Sequence, residues 1–391
     1  MKNMSKGVRY SRASCLAAHF LENVFPRPPF RIANGIQSGR PSILLIELFG
    51  LGDLASLSVL FDPILKKYPQ AKIYIVCQEW CQGLYWNDSR VTKVFGIPTP
   101  WKASARVLFS PSAWKKVFQA ASALRAIGLD WAIDTRGDVR SQIFARWAQP
   151  KRLVAPLDYM GSNMILRGAL LSDILGVIPH GHRYQRNCDC LLPVLGMSVE
   201  ASLPSLPQKS NSSSSGTLSR LLIHTGGGWR YKHWPEERWR KLLLDLLDKK
   251  EWEIAILCAP GEERIVERIS EGTSVKIERP SLKDLLPTIQ SYHAMVATDS
   301  GPINLAILSG IPVVDIMGPG DSIMWGPPSG RGILLQEVGS YPCYPCRQKN
   351  CYYPENPCVQ KITTDMALES MQALRHHLKK VTSNTVTLKS N

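Results

Sequence analysis

From residue 42 onward, short apolar runs alternate with stretches of helical spacing. Ile43-Leu44-Leu45-Ile46 continues through Glu47-Leu48 and ends at Gly50. A run of that length between turn signals suits a strand buried on both faces, as in a parallel sheet. Leu54, Leu57, Leu60, Phe61, Ile64, Leu65 and Tyr68 then recur at helical spacing, with Pro63 placed to kink or restart the helix. Ile73-Tyr74-Ile75-Val76-Cys77 reads as a second strand. A helix over 112–127 leads to a strand at 131–133, and a helix over 139–147 leads to a strand at 153–155.

The alternation stops at 202–217. There Leu203-Pro204-Ser205-Leu206-Pro207 precedes a serine-rich run, the composition of a flexible linker. It restarts with a strand at 221–224, a helix over 235–247 with Pro235 in its first turn, and a strand at 254–257. A helix over 262–269, a strand at 275–277 and a helix capped by Ser281 and reaching about residue 292 follow. The pattern closes with a strand at 294–297, a helix over 301–308 and a strand at 313–316. Strands alternating with helices argue for βαβ units. The expected class is α/β, with two doubly wound, Rossmann-like lobes at 41–201 and 218–391. Residues 1–40 form an appended arm with a short helical stretch at 14–24. Ligands of such sheets bind beyond the carboxyl ends of the strands, and between two lobes that surface is a cleft.

Composition adds a charge. The 391 residues carry a net charge of +15. Residues 1–40 hold seven basic residues against Glu22 alone, so the excess is only partly there. A basic surface attracts nucleic acid, anionic lipid or a phosphorylated substrate alike, but no nucleic-acid recognition motif accompanies it. No apolar run reaches eighteen residues, so no transmembrane helix is expected. The basic N-terminus is interrupted by His19, Glu22 and Asn23 and is not read as a secretory signal. The expected place is the cytosol, with most thiols reduced.

Three loops after strands carry the candidate chemistry. Gly50-Leu51-Gly52-Asp53 turns from a strand into a helix, where glycines allow close backbone approach to a ligand. The full dinucleotide fingerprint is missing. Asp53 reads either as a helix cap or as a carboxylate that accepts a proton. The second loop is Gly226-Gly227-Gly228-Trp229-Arg230-Tyr231-Lys232. Its backbone donors and two cations suit a diphosphate, or it is a surface loop with solvated cations. The third is Thr298-Asp299-Ser300-Gly301-Pro302, which opens a helix whose first N–H groups are unpaired. Asp299 or Ser300 can cap that helix, and Asn304 sits one turn in, facing ligand or interior. Gly318-Pro319-Gly320-Asp321 is a similar loop after the next strand.

Other candidates are weaker. Asp134, in Ile133-Asp134-Thr135-Arg136, is a second possible base at a strand end, and Arg136 is placed to contact a charged acceptor. His224 reads as a core histidine. Cys343, Cys346, Cys351 and Cys358 fall within sixteen residues and read as a structural metal site, disulfides or packing thiols. No Asp-x-Asp pair is present, which argues against a metal-dependent sugar-nucleotide site.

In this order the loops resemble glycosyltransferase family 9, the bacterial lipopolysaccharide heptosyltransferases. The carriers are 43–53 with its Gly-Asp loop, then Lys232-His233-Trp234-Pro235-Glu236-Glu237-Arg238-Trp239. Asp299-Ser300-Gly301-Pro302, Gly318-Pro319 and Trp325-Gly326-Pro327 complete the set, and the cysteine cluster looks like one found in many members. The resemblance implies a GT-B fold, inversion at the anomeric carbon, an ADP-heptose-like donor, no cofactor and no metal at the chemical step. It makes Asp53 the general base and Lys232 the cation on the leaving diphosphate. Gly52, Gly227, Gly228, Asp299, Ser300, Gly301, Pro302 and Asn304 then line the nucleotide-sugar site, and Glu262 faces the ribose. It further implies a lipid-linked or surface-glycan acceptor, peripheral contact with the inner membrane, and a C-terminal helix near 366–378 that packs back across the lobes. The family usually has histidine where this chain has Asn304, which bears on the sugar or the nucleotide. A non-catalytic nucleotide- or metal-binding protein is the alternative from another class.

Overall fold

A computed structural model describes residues 39–99, 110–137, 139–156, 173–175, 180–207, 218–339, 341–346, 351, 353, 355 and 357–387. The arm up to residue 38, with its expected helix at 14–24, and the serine run 208–217 lie outside the described residues. The chain divides into two units, Met1–Ser202 and Leu203–Asn391.

The first unit is built on a six-stranded sheet in the order β3-β2-β1-β4-β5-β6. Its strands are β1 (Ser42–Glu47), β2 (Lys72–Gln78), β3 (Lys93–Ile97), β4 (Trp131–Asp134), β5 (Arg152–Pro156) and β6 (Asp173–Leu175). All pairings are parallel. Ile43, Leu44, Leu45 and Ile46 are fully buried, as expected of a central strand covered on both faces. Each such side chain contributes about 1.5–3 kcal/mol on leaving water. The stretch after β1 is α1 (Leu51–Ala55), a 3₁₀ turn (Ser56–Leu60) and α2 (Phe61–Lys67), so the helical pattern restarts just before Pro63. On one sheet face, α3 (Pro111–Ile127) and α4 (Val139–Ala148) place Val117, Ala121, Leu124 and Phe144 against Leu44, Ile46 and Val76. α5 (Arg183–Asp189) and α6 (Leu192–Leu195) end the unit.

The second unit repeats the arrangement, in the order β12-β11-β10-β7-β8-β9. Its strands are β7 (Ser219–His224), β8 (Trp252–Leu257), β9 (Lys276–Glu278), β10 (Ala294–Thr298), β11 (Val313–Ile316) and β12 (Gly332–Leu335), again all parallel. Numbered within its unit, each sheet runs 3-2-1-4-5-6, the order of dinucleotide-binding folds. The helices are α7 (Glu236–Lys249), α8 (Glu263–Ser270), α9 (Leu282–Ile289), α10 (Gly301–Leu308), α11 (Ser322–Trp325), α12 (Pro357–Gln360) and α13 (Thr364–Thr387). Pro235 is the cap of α7 rather than its first turn. Ser281 sits at the cap of α9, but its hydroxyl donates to Asp284 Oδ2 at 2.5 Å instead of receiving a backbone N–H. α13 packs within this unit, on α7, β11 and β12, and Ala367, Met371 and Leu374 enter the core with Trp239 and Leu242.

Leu203–Pro207, read from composition as linker, is fastened to the second unit. The N–H groups of Ser205 and Leu206 donate to the Leu308 carbonyl at 2.9 and 3.1 Å, and Arg331 donates to the Leu203 carbonyl. Leu206 is buried, which supplies the apolar term that proline and serine lack.

Candidate active site

In a 3-2-1-4-5-6 sheet the connections from strands 1 and 4 leave in opposite directions, which opens a crevice at their carboxyl ends. In the first unit that crevice lies beyond β1 and β4. Asp53 follows β1 and Arg136 follows β4, and the two form an ion pair. The other carboxylate oxygen of Asp53 accepts the Gly50 N–H at 3.2 Å, so the side chain closes the start of α1 as well as meeting the cation. The helix-start role of Asp53 is thus seen directly, and its ion pair keeps the carboxylate beside a cation. Arg136 Cζ lies 3.7 Å from the centroid of the Phe49 ring, within cation–π reach. Gln78 donates to the Phe49 carbonyl and steadies the same loop. Gly137, next to Arg136, has φ +66, and a Cβ there would strike the Pro156 carbonyl, so only glycine fits.

A buried layer supports this pair. Arg183, fully buried, donates to Glu47 Oε2 at 3.0 Å, to the Thr135 carbonyl at 3.1 Å and to Thr135 Oγ1 at 2.9 Å. Glu47 Oε1 accepts the Phe49 N–H at 2.9 Å. One guanidinium thus ties the end of β1 to the end of β4. Asp134 is fully buried and accepts the Arg136 N–H at 3.0 Å, which makes it a fixed part of the turn rather than a base open to substrate.

The second unit holds its polar residues at the equivalent crevice, beyond β7 and β10. Lys232, in a 3₁₀ turn (Arg230–Lys232), forms an ion pair with Asp299. Its ammonium also lies 5.3 Å from the Trp229 ring centroid. Thr298 Oγ1 donates to the Gly226 carbonyl, and His233 Nε2–H donates to the Gly227 carbonyl at 2.8 Å. These bonds fix the glycine loop above the sheet. Ser300 is the cap residue of α10, but its hydroxyl lies 3.2 Å from His224 Nδ1 and makes no cap bond. The first N–H groups of α10 are therefore not taken up by the Ser300 side chain.

An open pocket of about 460 Å³ adjoins this crevice, lined by Thr225, Gly226, Gly227, His233, Glu262 and Arg264 among others. Glu262 Oε2 accepts the Ala259 N–H at 3.0 Å and lies 3.2 Å from His224 Nε2. Burial pushes this carboxyl upward, but the His224 contact and the Ala259 N–H outweigh burial and hold it below its ordinary value. A Cβ at Gly226 would overlap the Glu262 carboxylate, so the two fill one space.

Residues 117–356, more than half of the chain, match the sequence profile of glycosyltransferase family 9 (heptosyltransferase). The chain belongs to glycosyltransferase family 9. It is 23% identical over 319 residues to lipopolysaccharide heptosyltransferase 1 of Pseudomonas aeruginosa, covering 80% of this chain and 87% of that protein. The glycosyl transferase family 9 structure from Veillonella parvula superimposes with a TM-score of 0.70 at 17% identity, covering 87% of this chain and 99% of that one. The E. coli heptosyltransferase WaaC with ADP gives a TM-score of 0.66 at 20% identity, covering 85% and 99%. At these identities the structural likeness carries the fold, which is the GT-B type.

Within this family 9 enzyme the sequence-derived candidates fall into two groups. Asp53, Gly52 and Arg136 gather at the crevice of the first unit, with Gly52 inside α1 beside Asp53. Gly227, Lys232, Glu262, Asp299, Ser300, Gly301 and Pro302 gather at that of the second. Gly228 has open space around its Cα. Asn304 is buried, and its amide donates to the Ser300 carbonyl at 3.0 Å, so it braces the start of α10 from inside. Asp321 caps α11 through Met324 N–H. Arg230 stacks on Tyr231, 4.6 Å from the ring centroid. His224, read as a core histidine, is buried but lies between two site residues, with Nδ1 3.2 Å from Ser300 Oγ and Nε2 3.2 Å from Glu262 Oε2. Arg183 was not singled out by the sequence, and Glu47 was read there only as part of the first strand and its loop.

The cysteines of the enzyme are free thiols among the described residues. Cys343, Cys346 and Cys351 are half-buried, and Cys358 is buried. Burial and then the charges of the other three push the Cys358 thiol up, so the four share one neighbourhood. Among the described residues no group of three or more His, Cys, Asp or Glu side chains is placed to hold a metal ion. No described helix is long and apolar enough to cross a membrane.

Proposed function

We propose that this glycosyltransferase moves a heptose, or a closely similar sugar, from an ADP-linked donor to a hydroxyl of a lipopolysaccharide-core or related surface-glycan acceptor, with inversion and without a metal at the chemical step. The observation that carries the reading is the Lys232–Asp299 pair at the start of α10, at the crevice of a dinucleotide-type sheet. A departing diphosphate needs its growing charge met where it forms, and a lysine beside helix N–H groups can do this. Gly227, Ser300, Gly301 and Pro302 form the walls of that place, and Glu262 reaches toward a ribose from the adjoining pocket. Gly228 adds a backbone donor.

Asp53 is the proposed base on the acceptor hydroxyl. Arg136 holds it in place and meets an anionic acceptor. The basic excess of the chain suits an acceptor with phosphates, or an anionic lipid surface at the cytoplasmic face of the membrane. Asn304 favours a second reading, the same chemistry with another nucleotide-sugar, because an inward-turned amide shapes the donor site differently from an imidazole.

A donor screen with ADP-heptose, UDP-sugars and GDP-sugars separates the two. Asp53→Ala is expected to lower kcat by roughly 10²–10⁴-fold with donor affinity largely kept. Unchanged turnover in that variant removes the base assignment. Lys232→Ala is expected to weaken ADP binding, and no change there removes the diphosphate assignment.

A further inference from the structure

Asp315 is a buried titratable group that the proposed chemistry leaves unused. It sits inside β11, between Val314 and Ile316, and is fully buried. Neither carboxyl oxygen has a hydrogen-bond partner among the described residues. Parallel strands in register show matched residues on one face. Asp315 pairs with Ala297, and Ala297 with His224, so these three form one row across β11, β10 and β7. Asp299 lies two residues after Ala297, on the same side by strand alternation. The row therefore runs directly beneath the Asp299–Lys232 pair, and Ala297 between the two polar side chains is small.

The groups around Asp315 are few. His224 faces it from β7, Asp299 from the end of β10, and Lys232 from the 3₁₀ turn. α10, which packs on β10 and β11, brings Asn304 but no titratable side chain. β12 places Leu334 opposite Asp315. Val314 and Ile316 point the other way, into the core under α13. An ionised carboxylate without a hydrogen bond in such a layer is disfavoured relative to the neutral acid. Burial first and the Asp299 charge second push it upward, and Lys232 offsets only part.

We propose that Asp315 is a positioning residue of the diphosphate site, present as the neutral carboxylic acid, so that Asp299 alone carries negative charge against Lys232. Two carboxylates there would leave the floor of the site net negative and would hold Lys232 away from an incoming diphosphate. With one, the pair is neutral and the ammonium is available to the ligand. This rests on the donor-site reading above.

Two measurements on the full chain test it. The first is urea unfolding of wild type, Asp315→Asn and Asp315→Val between pH 5 and 7. An unfolded aspartate ionises near 3.8, and burial with the nearby Asp299 charge raises the folded group well above that. The folded-to-unfolded ratio of wild type relative to either variant should then fall by up to about tenfold per pH unit as pH rises. A ratio that stays constant means an ionised Asp315 and overturns the proposal. Either variant alone suffices if the other does not fold. The second is calorimetric titration with ADP at neutral pH. Asp315→Asn, neutral as the acid is, should bind ADP within about threefold of wild type, because no charge is removed from under the site. An amide variant that binds clearly tighter than that means a charged Asp315 opposing the diphosphate and overturns the proposal. If Lys232→Ala leaves ADP binding unchanged, the donor-site reading itself fails, while the unfolding result still reports the state of Asp315.

Discussion

Arg183 and Glu47 meet at 3.0 Å with neither side chain exposed to solvent. The pair joins positions 136 residues apart and locks the ends of β1 and β4, the two strands that deliver Asp53 and Arg136. Arg183→Ala leaves a carboxylate in the interior without its guanidinium. Chemical unfolding is expected to show a loss of about 3–5 kcal/mol. A loss under about 1 kcal/mol would show that the ends of these strands are held by something else.

Arg136 meets Asp53 through charge and is itself held over the Phe49 ring. Arg136→Ala should lower kcat by roughly tenfold or more, because the carboxylate loses the group that aims it. Lysine restores the charge but neither the fork nor the stacking, so Arg136→Lys should recover only part. Steady-state kinetics with varied acceptor will tell. Full recovery with lysine would reduce the role of Arg136 to charge alone.

The Glu262 carboxyl is held below its ordinary value of 4.5. Its stabilising contribution is therefore present above that value and is lost as pH falls through the lower, folded one. The stability gap between wild type and Glu262→Gln should be widest near neutrality and shrink as pH falls below 4.5. Unfolding curves across that range measure it. A gap that widens on acidification would contradict the His224 contact as its source.

The thiols should separate by accessibility. Under native conditions an aromatic disulfide reagent should label Cys343, Cys346 and Cys351 before Cys77, Cys188 and Cys190, whose buried thiols are each pushed up to about 12. Mass spectrometry of the labelled peptides gives the order. Turnover is expected to persist in a chelator, in line with diphosphate departure assisted by Lys232. Loss of both turnover and fold would place a structural metal at the cysteines instead.

Much of the fold was legible because central parallel strands are unbroken apolar runs. β1, β2, β10 and β11 announced themselves in this way, and Gly301–Leu308 was bounded by its own Ser-Gly-Pro start. Of the edge strands β9 was read, at 275–277, but β3, β6 and β12 were not. β3 carries Lys93 and Gly96 and is half-covered, and β12 begins with Gly332, so neither has the apolar density that signals a strand. At the site, the loop residues were visible as glycines and charges after strands. Their supports were not. Arg183 reaches Glu47 across 136 residues, which no local pattern encodes. Asp315 and His224 sit inside apolar runs and looked like parts of a strand, which they are. Only the cross-strand register puts them under Asp299.

Gly226 and Glu262 occupy one space, and that ties two positions far apart in the chain into a single choice. The carboxylate is the free end of a flexible side chain, so a methyl group at 226 would not break the sheet. It would push Glu262 off His224 and Ala259 and out of the pocket. Among descendants of this sequence, a change at 226 should therefore be accompanied by a shorter side chain at 262. A chain that keeps glutamate at 262 should keep glycine at 226, whatever else drifts around it.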